Sequence, residues 1–141
     1  KSDKVEENEK WNKKKKKKKI LLVDNEADIT FALENALEDY GFSIDSFNDS
    51  MLSLNSYKRN FYDLIILDIK MPNMDGFELY NKIKEIDPKV KICFLTASEL
   101  FYEEYRKKRY VLSEKLGEEY FIQKPIKTND LVQKINALMN K

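Results

Sequence analysis

The chain contains no histidine. No imidazole base, histidine metal ligand or phosphohistidine can belong to it, so proton transfer falls to carboxylates, lysines or water. A single cysteine, Cys93, rules out an internal disulfide. It sits in the apolar run Lys91-Ile92-Cys93-Phe94-Leu95, where a small buried hydrophobe is a simpler reading than a reactive thiol. Glycine is confined to Gly41, Gly76 and Gly117. That leaves no Gly-rich phosphate loop and argues against flavin or dinucleotide binding. No apolar run approaches the roughly 18–20 residues that cross a bilayer. The basic N-terminus also lacks the apolar stretch and small-residue cleavage site of a secretory signal. A cytoplasmic location without a membrane partner is the expectation.

What is present is charge, unevenly spread. Residues 1–19 carry ten lysines against four acidic residues, ending in the run Lys13 to Lys19. Like charges at this density resist compaction, so 1–19 reads as a Lys-rich disordered or frayed tail. A tether to nucleic acid or another acidic partner is the functional alternative for it. Residues 20–141 carry 16 basic against 21 acidic side chains. This part is mildly acidic, which argues against a nucleic-acid-binding face on the domain itself. The full 141 residues fit one domain with a core of useful size.

From Ile20 onward, apolar runs alternate with helical spacing. Ile20 to Val23 reads as a buried strand ending in Asp24. Ile29, Leu33, Ala36, Leu37 and Tyr40 then recur at helical intervals, with Gly41 as the stop. Phe42 to Phe47 is a more polar strand suited to a sheet edge, and Asn48-Asp49-Ser50 offers a cap for a helix to about Lys58. Leu64 to Leu67 is a second strongly apolar strand, ending in Asp68. Phe77 to Ile86 reads as a helix, Val90 to Leu95 as a strand ending in Thr96, and Ser98 to Leu116 as a long helix. Tyr120 to Gln123 is a short strand ending in Lys124-Pro125, and Thr128 caps a last helix. Strands apolar at every position, rather than at alternate ones, imply that both sheet faces are covered. The expected fold is therefore α/β: a doubly wound (βα)5 parallel sheet, with helices on both faces.

In such sheets ligands bind beyond the carboxyl ends of the strands. Those ends carry Asp24, Asp68, Thr96 and Lys124. With strand order 2-1-3-4-5, Asp24 and Asp68 lie on neighbours about 5 Å apart, and Lys124 reaches back from about 10 Å. Two carboxylates that close repel unless a cation intervenes. Mg²⁺, hard and oxygen-seeking, fits them best. Asp68 then has what a carboxylate nucleophile needs for phosphoryl transfer: a metal, an ammonium and a hydroxyl around it.

These residues carry a family resemblance. Leu22-Val23-Asp24-Asn25-Glu26, Leu67-Asp68-Ile69-Lys70-Met71-Pro72 with Asp75-Gly76, Leu95-Thr96-Ala97 and Lys124-Pro125 resemble, in order, the four motifs of response-regulator receiver domains. The resemblance covers Ile20 to about Asn140. It implies that Asp68 accepts a phosphoryl group from a sensor histidine kinase or phosphotransfer protein in two-component signalling. It implies Mg²⁺ held by Asp24, Asp68 and the backbone carbonyl of Lys70, with Asn25 as a further candidate ligand. Thr96 and Phe121 would move together as the switch, and Lys124 would contact the phosphoryl group, with a cis bond to Pro125. Such a domain is a phosphoacceptor rather than an enzyme acting on a separate substrate.

Two departures stand out. Asn25 replaces the second aspartate usual in the family, which predicts weaker Mg²⁺ binding; Glu26 could partly substitute. Thr96 and Lys124 are 28 positions apart, several more than usual. The surplus falls in a region with Phe101, Tyr102, Tyr105 and Tyr110. The Ser98 to Gln123 face is thus the candidate contact for an output protein or for self-association, although such aromatics are more often core than interface. Asp24 could instead cap a helix, Thr96 could cap a turn, and Asp75-Gly76 reads as turn chemistry. Three other functions stay open: a phosphorylation-impaired pseudo-receiver that binds proteins, a domain tethered to nucleic acid by the lysine tail, and a phosphatase. Asp24-Asn25-Glu26 is faintly similar to the haloacid-dehalogenase-like triplet, but Glu26 stands where that family needs aspartate.

Overall fold

The structure is a computed structural model that describes residues 16–97, 112 and 115–141. Five strands form one parallel sheet: β1 (Lys19–Val23), β2 (Ser43–Phe47), β3 (Leu64–Asp68), β4 (Ile92–Thr96) and β5 (Phe121–Gln123). The helices are α1 (Ala27–Asp39), α2 (Ser50–Asn55), α3 (Gly76–Ile86) and α4 (Thr128–Met139), with a 3₁₀ turn at Glu118–Tyr120. The strand order is β2-β1-β3-β4-β5, with every neighbouring pair parallel. This is the order read from the sequence. The reading of residues 1–15 as a frayed tail lies outside the described residues. So does almost all of the helix read over Ser98 to Leu116, with its aromatic residues.

The continuous apolar strands have their physical reason in two separate cores. Leu21, Val23, Ile65, Leu67, Ile92 and Phe94 face one side, where they meet Phe77, Leu79, Tyr80 and Ile83 of α3. Ile20, Leu22, Leu64, Ile66, Cys93 and Leu95 face the other, against Leu37 of α1 and Leu131, Ile135 and Leu138 of α4. Successive strand residues point to opposite faces, so a strand covered on both sides must be apolar throughout. Leu64 to Leu67 are at most 1% exposed. Each such side chain contributes about 1.5–3 kcal/mol of transfer free energy. The edge strand β2, where only Ile44 is buried, is as polar as expected.

Several boundaries differ from the sequence reading. β1 begins at Lys19, which pairs with Ser43 and donates its N–H to Asp63 at 2.8 Å. The α1 stripe of Ile29, Leu33, Ala36 and Leu37 turns inward, whereas Tyr40 is its C-cap and is 54% exposed. Gly41 follows with φ +94°, a conformation that suits glycine. α2 stops at Asn55, because the chain turns there to bring Tyr57 and the Asn60 backbone N–H onto the buried carboxylate of Asp87. Thr128 does not cap α4: Lys127 holds that position, without a side-chain cap, and Thr128 is the first helical residue.

Candidate functional site

The sheet register assembles the site. Val23 pairs with Leu67, so the next residues, Asp24 and Asp68, lie side by side. Asp68 pairs with Leu95, which puts Thr96 one step beyond it, and Thr96 pairs with Gln123, so Lys124 follows immediately. Thus the sheet brings together all four strand-end residues read from the sequence. Asp24 is fully buried, and Asp68 and Thr96 are at most 5% exposed.

Lys124 holds the two carboxylates. Its Nζ lies 2.9 Å from Asp24 Oδ2, 3.6 Å from Asp68 Oδ1 and 3.9 Å from Glu26 Oε1. Its backbone N–H donates to the Thr96 carbonyl, and its bond to Pro125 is cis. Burial alone would lower the Lys124 pKa. The hydrogen bond to Asp24 and the charges of Asp24, Asp68 and Glu26 outweigh that, and the ammonium sits above its ordinary value. Asp68 is pushed up to about 6, first by burial and next by the charge of Asp24; Lys124 pulls the other way.

The loops fix these groups. Asp24 is not the cap of α1, a position taken by Glu26 without a side-chain bond; instead Asp24 Oδ1 accepts from the Glu26 N–H at 2.9 Å. Beyond Asp68, Ile69, Met71 and Met74 are buried as anchors while Lys70 and Pro72 face solvent. The Gly76 N–H closes the loop on the Ile69 carbonyl at 2.8 Å, and Asp75 caps α3 through Glu78 N–H at 2.9 Å. The Asn25 amide faces Asp68 Oδ2 and the Lys70 carbonyl, both acceptors. Turned with its nitrogen toward them, the amide would donate to each at 3.2 Å; turned with its oxygen toward them, it would join them as a further oxygen around a cation. Phe121 is half-buried, its ring stacked at a tilt on Phe94 with centroids 5.2 Å apart.

Residues 20–136 match the family described as the response regulator receiver domain. The chain belongs to that family. This receiver is 28% identical to the transcriptional regulatory protein RprY of Bacteroides fragilis, over 86% of the chain and 49% of the relative. It is 33% identical to hybrid signal transduction histidine kinase B of Dictyostelium discoideum, over 99% of the chain and 8% of the relative. Among solved structures it resembles the CheX–CheY–BeF3–Mg²⁺ complex of Borrelia burgdorferi, with 26% identity and a TM-score of 0.71, covering 88% of this chain and 90% of that one. The receiver spans about half the length of the transcriptional regulators it matches, and far less of the kinase.

The donors suit a hard cation: two adjacent buried carboxylates and a backbone carbonyl, all oxygen. No group of three or more acidic, histidine or cysteine side chains among the described residues is arranged as a metal site. A cation here would thus rest on Asp24, Asp68 and the Lys70 carbonyl rather than on an all-side-chain cage.

Sequence reasoning missed three supports of the receiver site. Asn48 donates to the Asp24 carbonyl and to Thr30 Oγ1, both at 2.8 Å, pinning the β1–α1 loop from the end of β2. Buried Ser50 donates to the Met74 carbonyl at 2.8 Å. Gly76 is more than turn chemistry: a Cβ there would stand 2.3 Å from the Asp68 carbonyl oxygen. The glycines' scarcity was the available signal for the last, since each of three has to be placed for a reason.

Proposed function

We propose that this receiver takes a phosphoryl group onto Asp68 from a phosphohistidine of a sensor kinase or phosphotransfer protein, with Mg²⁺. The observation that carries this reading is the cluster of buried Asp24 and Asp68 with the partly exposed Lys124 at three strand ends. An Asp68 carboxylate oxygen attacks phosphorus as the phosphorus–nitrogen bond breaks, and the electron pair leaves with the imidazole. Asp24, Asp68 and the Lys70 carbonyl would hold the cation, which when bound neutralises the phosphoryl oxygens. Lys124 sits where it can pass from Asp68 to a phosphoryl oxygen, and Thr96, one strand over, supplies a hydroxyl. The Asp68 pKa of about 6 leaves most of the nucleophile ionised at neutral pH. The chain acts as acceptor and catalyses its own transfer and hydrolysis, rather than turning over a separate substrate. Output would pass by protein contact through the region from Ser98 to Gln123, in the cytoplasm. Among the described residues no helix is long and apolar enough to cross a membrane.

A second reading, a phosphorylation-impaired binding module, draws on Asn25, which sets a neutral amide rather than a carboxylate beside Asp68. Intact mass separates the two. Wild type and Asp68→Asn are incubated with Mg²⁺ and acetyl phosphate, phosphoramidate or a phosphorylated histidine kinase. A gain of one phosphoryl group in wild type alone is expected. No gain from any donor, with a gain in Asn25→Asp, would replace the acceptor reading by the binding-module one.

A further inference from the structure

The run Asn48-Asp49-Ser50 at the end of β2 reaches both loops that carry the acids. Asn48 Nδ2 donates to the Asp24 carbonyl and to Thr30 Oγ1, both at 2.8 Å. Chemistry fixes which end of this amide faces them. A backbone carbonyl only accepts, and Thr30 Oγ1 gives its own hydrogen to the Ala27 carbonyl at 3.0 Å. One residue earlier, the Phe47 carbonyl accepts the Asp24 N–H at 3.1 Å. Both backbone groups of Asp24 are thus held from the end of β2. Ser50, buried, donates across to the Met74 carbonyl at 2.8 Å, in the loop that leads from Asp68 to Gly76. Between the two, Asp49 caps α2 through the Leu52 N–H at 2.9 Å.

We infer that Asn48 and Ser50 form a clamp that sets the width of the cation pocket. β1 and β3 are paired only as far as Val23 and Leu67. Beyond that point the gap between the acids, and the place of the Lys70 carbonyl, depend on the loops. Asn48 pins the loop after Asp24, Ser50 pins the loop after Asp68, and the capped first turn of α2 keeps the two pins at one spacing. The inference rests on reading this pocket as a Mg²⁺ site. Neither residue supplies a ligand, so both are positioning residues. Their effect falls on the smaller cation. Mg²⁺ demands near-octahedral oxygens at about 2.0–2.1 Å, whereas Ca²⁺ accepts irregular shells at about 2.3–2.6 Å. Loops pinned on both sides favour Mg²⁺; freed loops lose that preference.

Backbone amide resonances followed through Mg²⁺ and Ca²⁺ titrations give both dissociation constants without any phosphodonor. Asn48 is exposed, so Asn48→Ala leaves both cores intact. The clamp predicts that Asn48→Ala loses about tenfold in Mg²⁺ affinity and less than about twofold in Ca²⁺ affinity. Ser50→Ala should behave alike, and the double variant should lose little more than either single one, because one lost pin already frees the gap. Ile135→Val, a core change in α4, controls for general destabilisation and should leave the ratio of the two affinities unmoved. Equal losses for the two cations, or unchanged Mg²⁺ affinity in Asn48→Ala, would overturn the clamp and leave the metal site standing. Losses that multiply in the double variant would make Asn48 and Ser50 separate supports, which overturns it as well. If Mg²⁺ shifts no strand-end resonance in wild type, the metal reading itself falls, and the clamp with it.

Discussion

Replacing Asp68 by asparagine should stabilise the metal-free protein. The fold raises the Asp68 carboxyl from 3.8 to about 6, through burial and then through the charge of Asp24. A raised carboxyl means that the folded state prefers the protonated form. Its contribution to stability is full below pH about 4 and is lost as pH rises through about 6. A rise of that size is worth about 3 kcal/mol between the protonated and ionised forms. Lys124 is shared between Asp24 and Asp68, and it moves wholly to Asp24 when Asp68 loses its charge. The net gain for Asp68→Asn at pH 7.5 is then about 1–3 kcal/mol. Urea unfolding followed by circular dichroism, in EDTA across pH 4 to 7.5, measures it. The gap between variant and wild type should open as pH rises and be near zero at the acid end. Added Mg²⁺ should stabilise wild type and leave Asp68→Asn nearly unmoved, because binding to the native state alone shifts stability. A variant less stable than wild type at pH 7.5, or a gap independent of pH, would refute the reasoning.

Two other substitutions probe the supports. Gly76→Ala sets a methyl 2.3 Å from the Asp68 backbone oxygen, where backbone has to give; a loss of about 1–3 kcal/mol in urea unfolding is expected, although alanine suits a helix better than glycine. Equal or greater stability would show that the loop yields freely. Lys124→Met leaves Asp24 and Asp68 buried without their cation, so the metal-free protein should lose about 3 kcal/mol at neutral pH and regain part of it with Mg²⁺. An unchanged unfolding temperature in EDTA would mean that Lys124 does not hold the pair.

The sheet was legible because its signal is local and repeated. Leu64 to Leu67 and Ile92 to Leu95 are apolar at every position, and only a strand covered on both faces requires that. Once the order is 2-1-3-4-5, the strand-end residues converge by register alone, and Asp24, Asp68, Thr96 and Lys124 needed no further information. The supports were illegible for the opposite reason. Asn48 reaches Asp24 across 24 positions, and Ser50 reaches Met74 across another 24. Such bonds depend on how two loops approach each other, which no periodicity encodes. The place of Asn25 is of this kind too: composition shows an amide, and only the folded loop sets it against Asp68 and the Lys70 carbonyl. The cap expected of Thr128 failed because a good capping residue one position late simply becomes the first helical residue.

The ion pair between Lys124 and Asp24 joins residues 100 positions apart. The sheet must add β4 to β3, and β5 to β4, before Lys124 can arrive beside the acids donated by β1 and β3. A partly folded chain that has paired only β1, β2 and β3 carries the two acids but not their ammonium. The balance of charge at the strand ends is thereby withheld until the last edge strand docks. If the chain were divided between α3 and β4, one fragment would bring Asp24 and Asp68 and the other Thr96 and Lys124, so that the ion pair itself would form only on their reunion.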